Sequence, residues 1–218
     1  MKKQNLVVFG GIAIVILVGA YFSSKEVGVI KSKALPYYVY EPKKNVILET
    51  TESGSQIGSF SFIDQGGDIF TEKETEGKIF VADYFFVTCP GICKEMGSHL
   101  QRVYATFENE PKVKILSHTS KPEEDSVSVL MAYSNKMGVK DKSKWVFLTG
   151  DKKQLYAVAR DQYHIVDEPG DGGEDDFIHT ERFVLVDKDK YIRGYYDGTD
   201  SVTVDKMMND IRILLLEK

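Results

Sequence analysis

Cysteine is scarce in this chain: there are two among 218 residues, at positions 89 and 93. A scaffold stapled by several disulfides is thereby excluded. So is a structural zinc site built from two cysteine pairs. Clustered lysine and arginine are also lacking, and the net charge is -5. Nucleic acid is therefore not expected as a partner, because phosphate binding needs a basic patch. No internal repeat and no second linker divides the chain, so one domain plus an appendage is expected.

What the chain does have begins at the N-terminus. After Lys2 and Lys3, the run LVVFGGIAIVILVGAYF from Leu6 to Phe22 holds no charge and no polar face. A helix of about 17 residues reaches about 25 Å, close to the thickness of a bilayer core. No small-x-small cleavage site follows it, and no cysteine that would take a lipid. Residues 1–22 are accordingly read as an uncleaved signal anchor, a single transmembrane helix rather than a cleaved signal peptide. Residues 23–43 then read as a tether and residues 44–218 as the globular domain. The default orientation places that domain on the non-cytoplasmic, periplasmic side of a cell inner membrane.

Within the domain the hydrophobic period switches repeatedly between strand and helix. Gly58 to Phe62 alternates with period two, and Asp64-Gln65-Gly66-Gly67 marks a turn into a second short strand. Ile79 to Val87, IFVADYFFV, reads as a central strand buried on both faces. Ile92, Met96, Leu100, Val103, Tyr104 and Phe107 recur at helical spacing. Strands follow at 113–117 and 145–148, with helices at 127–137 and 155–159; 182–187 and 191–196 form a hairpin pattern before a last helix. The expected class is α/β and thioredoxin-like, a central mixed β-sheet with helices on both faces.

Chemistry gathers where the central strand ends. Thr88-Cys89-Pro90-Gly91-Ile92-Cys93 follows that strand and opens the amphipathic helix. Free N–H groups and the positive dipole end of a helix start stabilise thiolates. Cysteines four apart there have Cα atoms about 6 Å apart, within disulfide range. The pair can be a dithiol, a disulfide bond or a two-thiolate metal clamp. Three intervening residues, rather than two, leave room for an ion between the sulfurs. Two thiolates with one imidazole suit copper, thiolate favouring Cu(I) and imidazole also accepting Cu(II). His179 is the candidate imidazole, on a loop before strand 182–187. It stands beside an acidic segment, Asp167, Glu168, Asp171, Glu174, Asp175 and Asp176, that could gather cations. His118, ending a strand beside the central one, could approach the site. His99 falls six residues after Cys93, off its helical face, His164 has no supporting context, and Met96 reads as a core methionine.

Several stretches together resemble the SCO/SenC family. They are Phe60-Ser61-Phe62 to Asp64-Gln65, the run DYFFVTCPGICKEM from Asp83 to Met96, Pro122-x-x-Asp125, Phe147 to Gly150, and Phe177-Ile178-His179-Thr180 ahead of FVLVD. The likeness covers about residues 55 to 218, in order. It implies a membrane-anchored, thioredoxin-fold copper chaperone with Cys89, Cys93 and His179 as metal ligands. The chaperone would serve the dinuclear copper centre of cytochrome c oxidase. Implied partners are the copper-acceptor subunit of that oxidase and a thioredoxin-like reductant that keeps the redox-active pair Cys89 and Cys93 reduced. A turnover enzyme is not expected. The rival readings are a thiol–disulfide oxidoreductase that reduces the acceptor's cysteines and a peroxide-handling or redox-sensing domain. Two positions depart from the family: Lys121 stands where Asp precedes Pro122, and Ile178 where Asp often precedes the histidine. An ammonium at Lys121 close to the sulfurs would favour Cu(I).

Overall fold

The computed structural model describes residues 34–217, apart from positions 45 and 167. In chain order the first elements are strands β1 (Tyr37–Glu41), β2 (Val46–Thr50), β3 (Ser61–Asp64), β4 (Ile69–Thr71) and β5 (Ile79–Phe85). Helix α1 (Ile92–Thr106), strand β6 (Val113–Thr119), helix α2 (Val127–Lys136), strand β7 (Trp145–Thr149) and helix α3 (Lys152–Ala157) follow. The chain closes with β8 (Arg182–Val186), β9 (Ile192–Asp197) and helix α4 (Ser201–Leu216). The expected anchor, residues 1–22, lies outside the described residues. Among those described, no helix is long and apolar enough to cross a membrane.

Seven strands form one sheet in the order β4-β3-β7-β6-β5-β8-β9. β5, β6 and β7 run parallel, while β8 and β3 pair antiparallel with β5 and β7. All seven residues of β5 are buried. Because side chains alternate along a strand, β5 supplies two cores at once. Ile79, Val81 and Phe85 face one core with Met96, Leu100 and Val103 of α1, Leu130 of α2 and Met207 and Ile211 of α4. Phe80, Ala82 and Tyr84 face the other, with Phe62 of β3 and Leu155 and Tyr156 of α3. Helices thus cover both faces of a mixed sheet, the thioredoxin-like arrangement that the alternating periods predict.

Local chemistry sets the helix ends. Asp151 and Asp200 cap α3 and α4 by accepting from the N–H groups of Gln154 and Val202 at 2.9 and 3.0 Å. Gly138, at φ +77°, lets the chain leave α2 through a left-handed turn. Gly97 allows α2 to lie close against α1. A Cβ there would stand 3.0 Å from Met137 Cε and 3.4 Å from Tyr133 Oη.

The tether expectation for residues 23–43 needs correcting at its end. Tyr37–Glu41 is the first strand of an antiparallel hairpin with β2, and Tyr38 stacks edge-on with Tyr195 of β9 at 5.5 Å. The cause is remote in sequence. Arg193 of β9 is buried, donates to the carbonyls of Leu35 and Pro36 at 2.7 and 3.1 Å, and lies 4.2 Å from the Tyr37 ring centroid. Its charge is met by Asp187 at 2.8 Å and Glu217 at 2.9 Å. One guanidinium therefore ties the entry of the chain to its last residues. Removing one member of such a buried network leaves charges uncompensated, which typically costs about 3–5 kcal/mol. Arg193→Ala is expected to lower unfolding free energy by about 3 kcal/mol or more, read from the urea midpoint of the detergent-solubilised chain. A loss under about 1 kcal/mol would show that the network is not structural in this sense.

Candidate metal centre

β5 delivers the chain to the site, and a buried carboxylate holds it there. Asp125, 1% exposed, accepts from the Val87 N–H at 3.2 Å and from the Thr119 hydroxyl at 2.6 Å. Burial raises its pKa despite those bonds. The loop of Phe86, Val87 and Thr88 is thereby hung on the segment after β6. The Cys89 N–H then bonds the Phe86 carbonyl at 3.2 Å.

No side chain caps the start of α1 at Gly91. The sulfur of Cys89 lies among the free donors there. Burial alone would raise the Cys89 pKa. The Cys93 thiol, the backbone N–H groups of Cys93 and Gly91 and the charge of Lys94 favour its thiolate, outweigh burial and hold it below the ordinary thiol value. Burial pushes the Cys93 thiol up, as do its bond to Cys89 and the nearby Asp83 charge. Both thiols are free, and they are only 5% and 6% exposed. The pair is asymmetric, with Cys89 the thiolate-prone member.

A groove of about 320 Å³ opens beside the two sulfurs, with Phe86, Val87, Tyr133 and Met137 in its walls. Beneath it lies Asp83, the lone charge within β5, which is 3% exposed. It accepts from Ser117 Oγ at 2.5 Å, and that hydroxyl accepts from the Trp145 indole at 2.9 Å. One hydroxyl does not replace the lost water, and burial raises the Asp83 pKa to about 7.

His179 is exposed, while both its neighbours are fixed. Ile178, 2% exposed, donates its N–H to Tyr156 Oη at 3.3 Å, and the buried Thr180 donates its hydroxyl to the Ile165 carbonyl at 3.2 Å. The imidazole stacks on Phe177 at 6.1 Å, and Phe177 meets Phe86 edge-on at 5.5 Å. This aromatic contact joins the histidine loop to the residue three before Cys89. Among the described residues, no three His, Cys, Asp or Glu side chains are gathered closely enough to hold a metal. The structure thus brings Cys89 and Cys93 together and leaves the His179 ring to one side.

Both departures from the family have structural roles. Ile178 is a core residue packed with Leu155 and Tyr163. Lys121 pairs with Glu124 at 3.0 Å, and its ammonium lies 4.9 Å from the Phe86 ring and 5.8 Å from that of Phe177. Glu124 therefore offsets much of the charge expected to act on the sulfurs.

His118 does not approach the cysteines. It occupies the second core, stacked on Tyr84 at 5.0 Å, and burial lowers its pKa to about 4. Strand alternation explains this: its register partner is Tyr84, which points away from the cysteine face. His164 stacks on Tyr40 at 4.5 Å, and His99 bonds the Gly198 carbonyl at 2.8 Å. Met96 is a core residue. In the acidic segment, Asp176 is committed to a bidentate pair with Arg160 at 2.7 and 2.9 Å. The roles of Asp83, Asp125 and Phe177 were missed by sequence reasoning, although a single carboxylate inside IFVADYFFV is a visible signal.

A carboxyl whose folded pKa lies above its unfolded value binds its proton more tightly when folded, so stability falls as pH rises through that interval. For Asp83 the interval runs from 3.8 to about 7. Each pH unit across such an interval is worth about 1.4 kcal/mol. Wild-type stability should therefore decline by a few kcal/mol between about pH 4 and pH 7 relative to Asp83→Asn. Urea midpoints of both chains across this range of pH measure the difference. Parallel profiles would remove Asp83 from the account.

Comparison with known proteins adds three findings. The family model described as SCO1/SenC matches residues 49–216. The SCO1 protein homolog of Bacillus subtilis (strain 168) is 27% identical over 160 residues, 72% of this chain and 81% of that protein. Solved structures with the same fold include the following two. BsSco, a member of the Sco family of cytochrome c oxidase assembly proteins, has TM-score 0.63 at 23% identity, covering 75% of this chain and 95% of that one. Yeast Sco1 with copper bound has TM-score 0.57 at 24% identity, covering 72% and 89%.

Proposed function

Since the chain belongs to the SCO1/SenC family, we propose that it binds copper through Cys89, Cys93 and His179 and passes it to the copper-acceptor subunit of cytochrome c oxidase. The observation that carries this reading is the buried pair of free cysteines at the uncapped start of α1. Two soft sulfur donors and one imidazole form a donor set suited to copper in both oxidation states. The exposure of His179 leaves its ring free to turn toward the sulfurs, with Ile178 and Thr180 as fixed pivots. Copper is the cargo, and transfer is ligand exchange onto the acceptor's donors. The copper-bound relative in yeast and the oxidase-assembly role of BsSco support the assignment.

In this reading residues 1–22 anchor the protein by a single pass in the inner membrane, and the domain faces the periplasm. A thioredoxin-like reductant returns the pair to the dithiol form whenever it oxidises.

The second reading, thiol–disulfide exchange with the acceptor's cysteines, is favoured by the asymmetry of the pair. A thiolate-prone Cys89 beside a protonated Cys93 is an arrangement for nucleophilic attack followed by resolution. BsSco is itself described with a disulfide switch.

Anaerobic copper loading separates the readings. The reduced chain should bind one copper, and Cys89→Ala or Cys93→Ala should abolish binding. His179→Ala should weaken Cu(II) more than Cu(I), because two thiolates alone can hold a linear Cu(I) ion. Metal analysis and competition with a copper chelator provide the measurement. Full copper retention in both cysteine variants would refute the site. If His179→Ala keeps full binding of both ions while thiol-reducing activity disappears, exchange is the function.

The orientation has its own check. A reporter fused after Lys218 that requires an oxidising compartment should be active, and activity confined to a cytoplasm-dependent reporter would reverse the topology.

A further inference from the structure

We propose that the groove beside the two cysteines is a slot for a narrow, acidic, cysteine-bearing segment of a partner protein. This names the chemistry of the partner and rests on the reading of Cys89 and Cys93 as the point of exchange.

Access argues for a narrow occupant. The sulfurs lie in side chains only 5% and 6% exposed, at the edge of a groove of about 320 Å³. A flat partner surface cannot reach them, whereas a protruding loop or extended strand can insert one side chain. The walls are apolar where such a segment would pass, with Phe86 and Val87 before Cys89 and Tyr133 and Met137 from α2 and its end. The occupant's own reacting group must be one that sulfur exchanges with, which is a thiol.

Charge argues for acidic flanks. Lys94 on α1 and Lys136 just across on α2 both line the groove, both are exposed, and no carboxylate lines it with them. Of the two acids bonded to the loop before Cys89, Asp125 is occupied by Val87 and Thr119, and Glu124 by Lys121 and Thr88. The chain as a whole carries -5. A broadly acidic partner would be repelled, so the attraction has to be local, between these two ammonium groups and carboxylates close to the incoming thiol. Local complementarity of this kind chiefly raises association rates and selects among partners.

The test uses the full chain in detergent, with Cys93→Ser and Cys89 converted to its thiopyridyl mixed disulfide. A peptide thiolate attacks Cys89 Sγ. The peptide–Cys89 disulfide forms, the bond to thiopyridine breaks, and the released thiopyridone takes up the proton and is read by absorbance. The thiopyridyl group is uncharged, so it does not itself occupy the lysines. The probes are end-blocked Gly-Glu-Cys-Glu-Gly and Gly-Lys-Cys-Lys-Gly. Each rate is divided by that peptide's rate with dipyridyl disulfide, which removes the difference in intrinsic thiol reactivity.

At low salt the normalised acidic-to-basic ratio should be about tenfold or more, falling toward one at high salt. Lys94→Gln with Lys136→Gln should bring the ratio near one, and the corresponding pair of Glu substitutions should invert it. A wild-type ratio near or below one overturns the proposal, as does a ratio that the lysine substitutions leave unchanged. Copper plays no part in this measurement. A chain that binds no copper yet shows the selectivity sinks only the copper reading, while a copper-binding chain without it sinks only the slot.

Discussion

The burial of β5 on both faces is the constraint from which the site follows. A strand with seven buried residues has no solvated side, so each side chain must pack into one of two cores and helices must cover both. The chain cannot turn until it clears the edge of the sheet. When it does, after Phe85, it meets the start of α1, where the backbone N–H groups have no intrahelical partners. Gly91 offers no side chain to cap them, and they favour a thiolate at the neighbouring Cys89. The reactive character of Cys89 is therefore a consequence of helix geometry, with Lys94 adding to it.

The same constraint explains Asp83. A carboxylate on the cysteine-side face of β5 has no route to water, and its single hydroxyl partner does not replace one. Such a group is kept at the expense of stability, a cost that builds from about pH 4 and is nearly complete at neutral pH. The charge that forms there opposes ionisation of Cys93. Asp83 and α1 thus act in opposite directions on the two sulfurs, and their difference is built into the fold.

Much of this was legible in the sequence because it depends on local period and spacing. IFVADYFFV reads as a doubly buried strand with the cysteines beyond its end, and the strand found is Ile79–Phe85, two residues shorter than the run. The hairpin of Tyr37–Glu41 was not legible, because it depends on Arg193, 157 residues beyond Pro36. Which way His118 faces was not legible, because strand proximity leaves the face open and one residue of register decides it. The position of the His179 ring depends on Phe177 meeting Phe86, a tertiary contact with no local signature. Lys121 and Ile178 look like changes at the site when read as letters. In the folded chain one is paired with Glu124 and the other fills a core.

The fixed neighbours of His179 have a consequence for the entropy of metal capture. Ordering a whole loop would immobilise many backbone torsions, at about 1–2 kcal/mol for each residue. Here Ile178 is already bound to Tyr156 and Thr180 to Ile165. The backbone on both sides of the imidazole is therefore ordered before the ring makes any new contact. A histidine mounted in this way brings less ordering cost to any contact its ring makes than one carried on a loose loop.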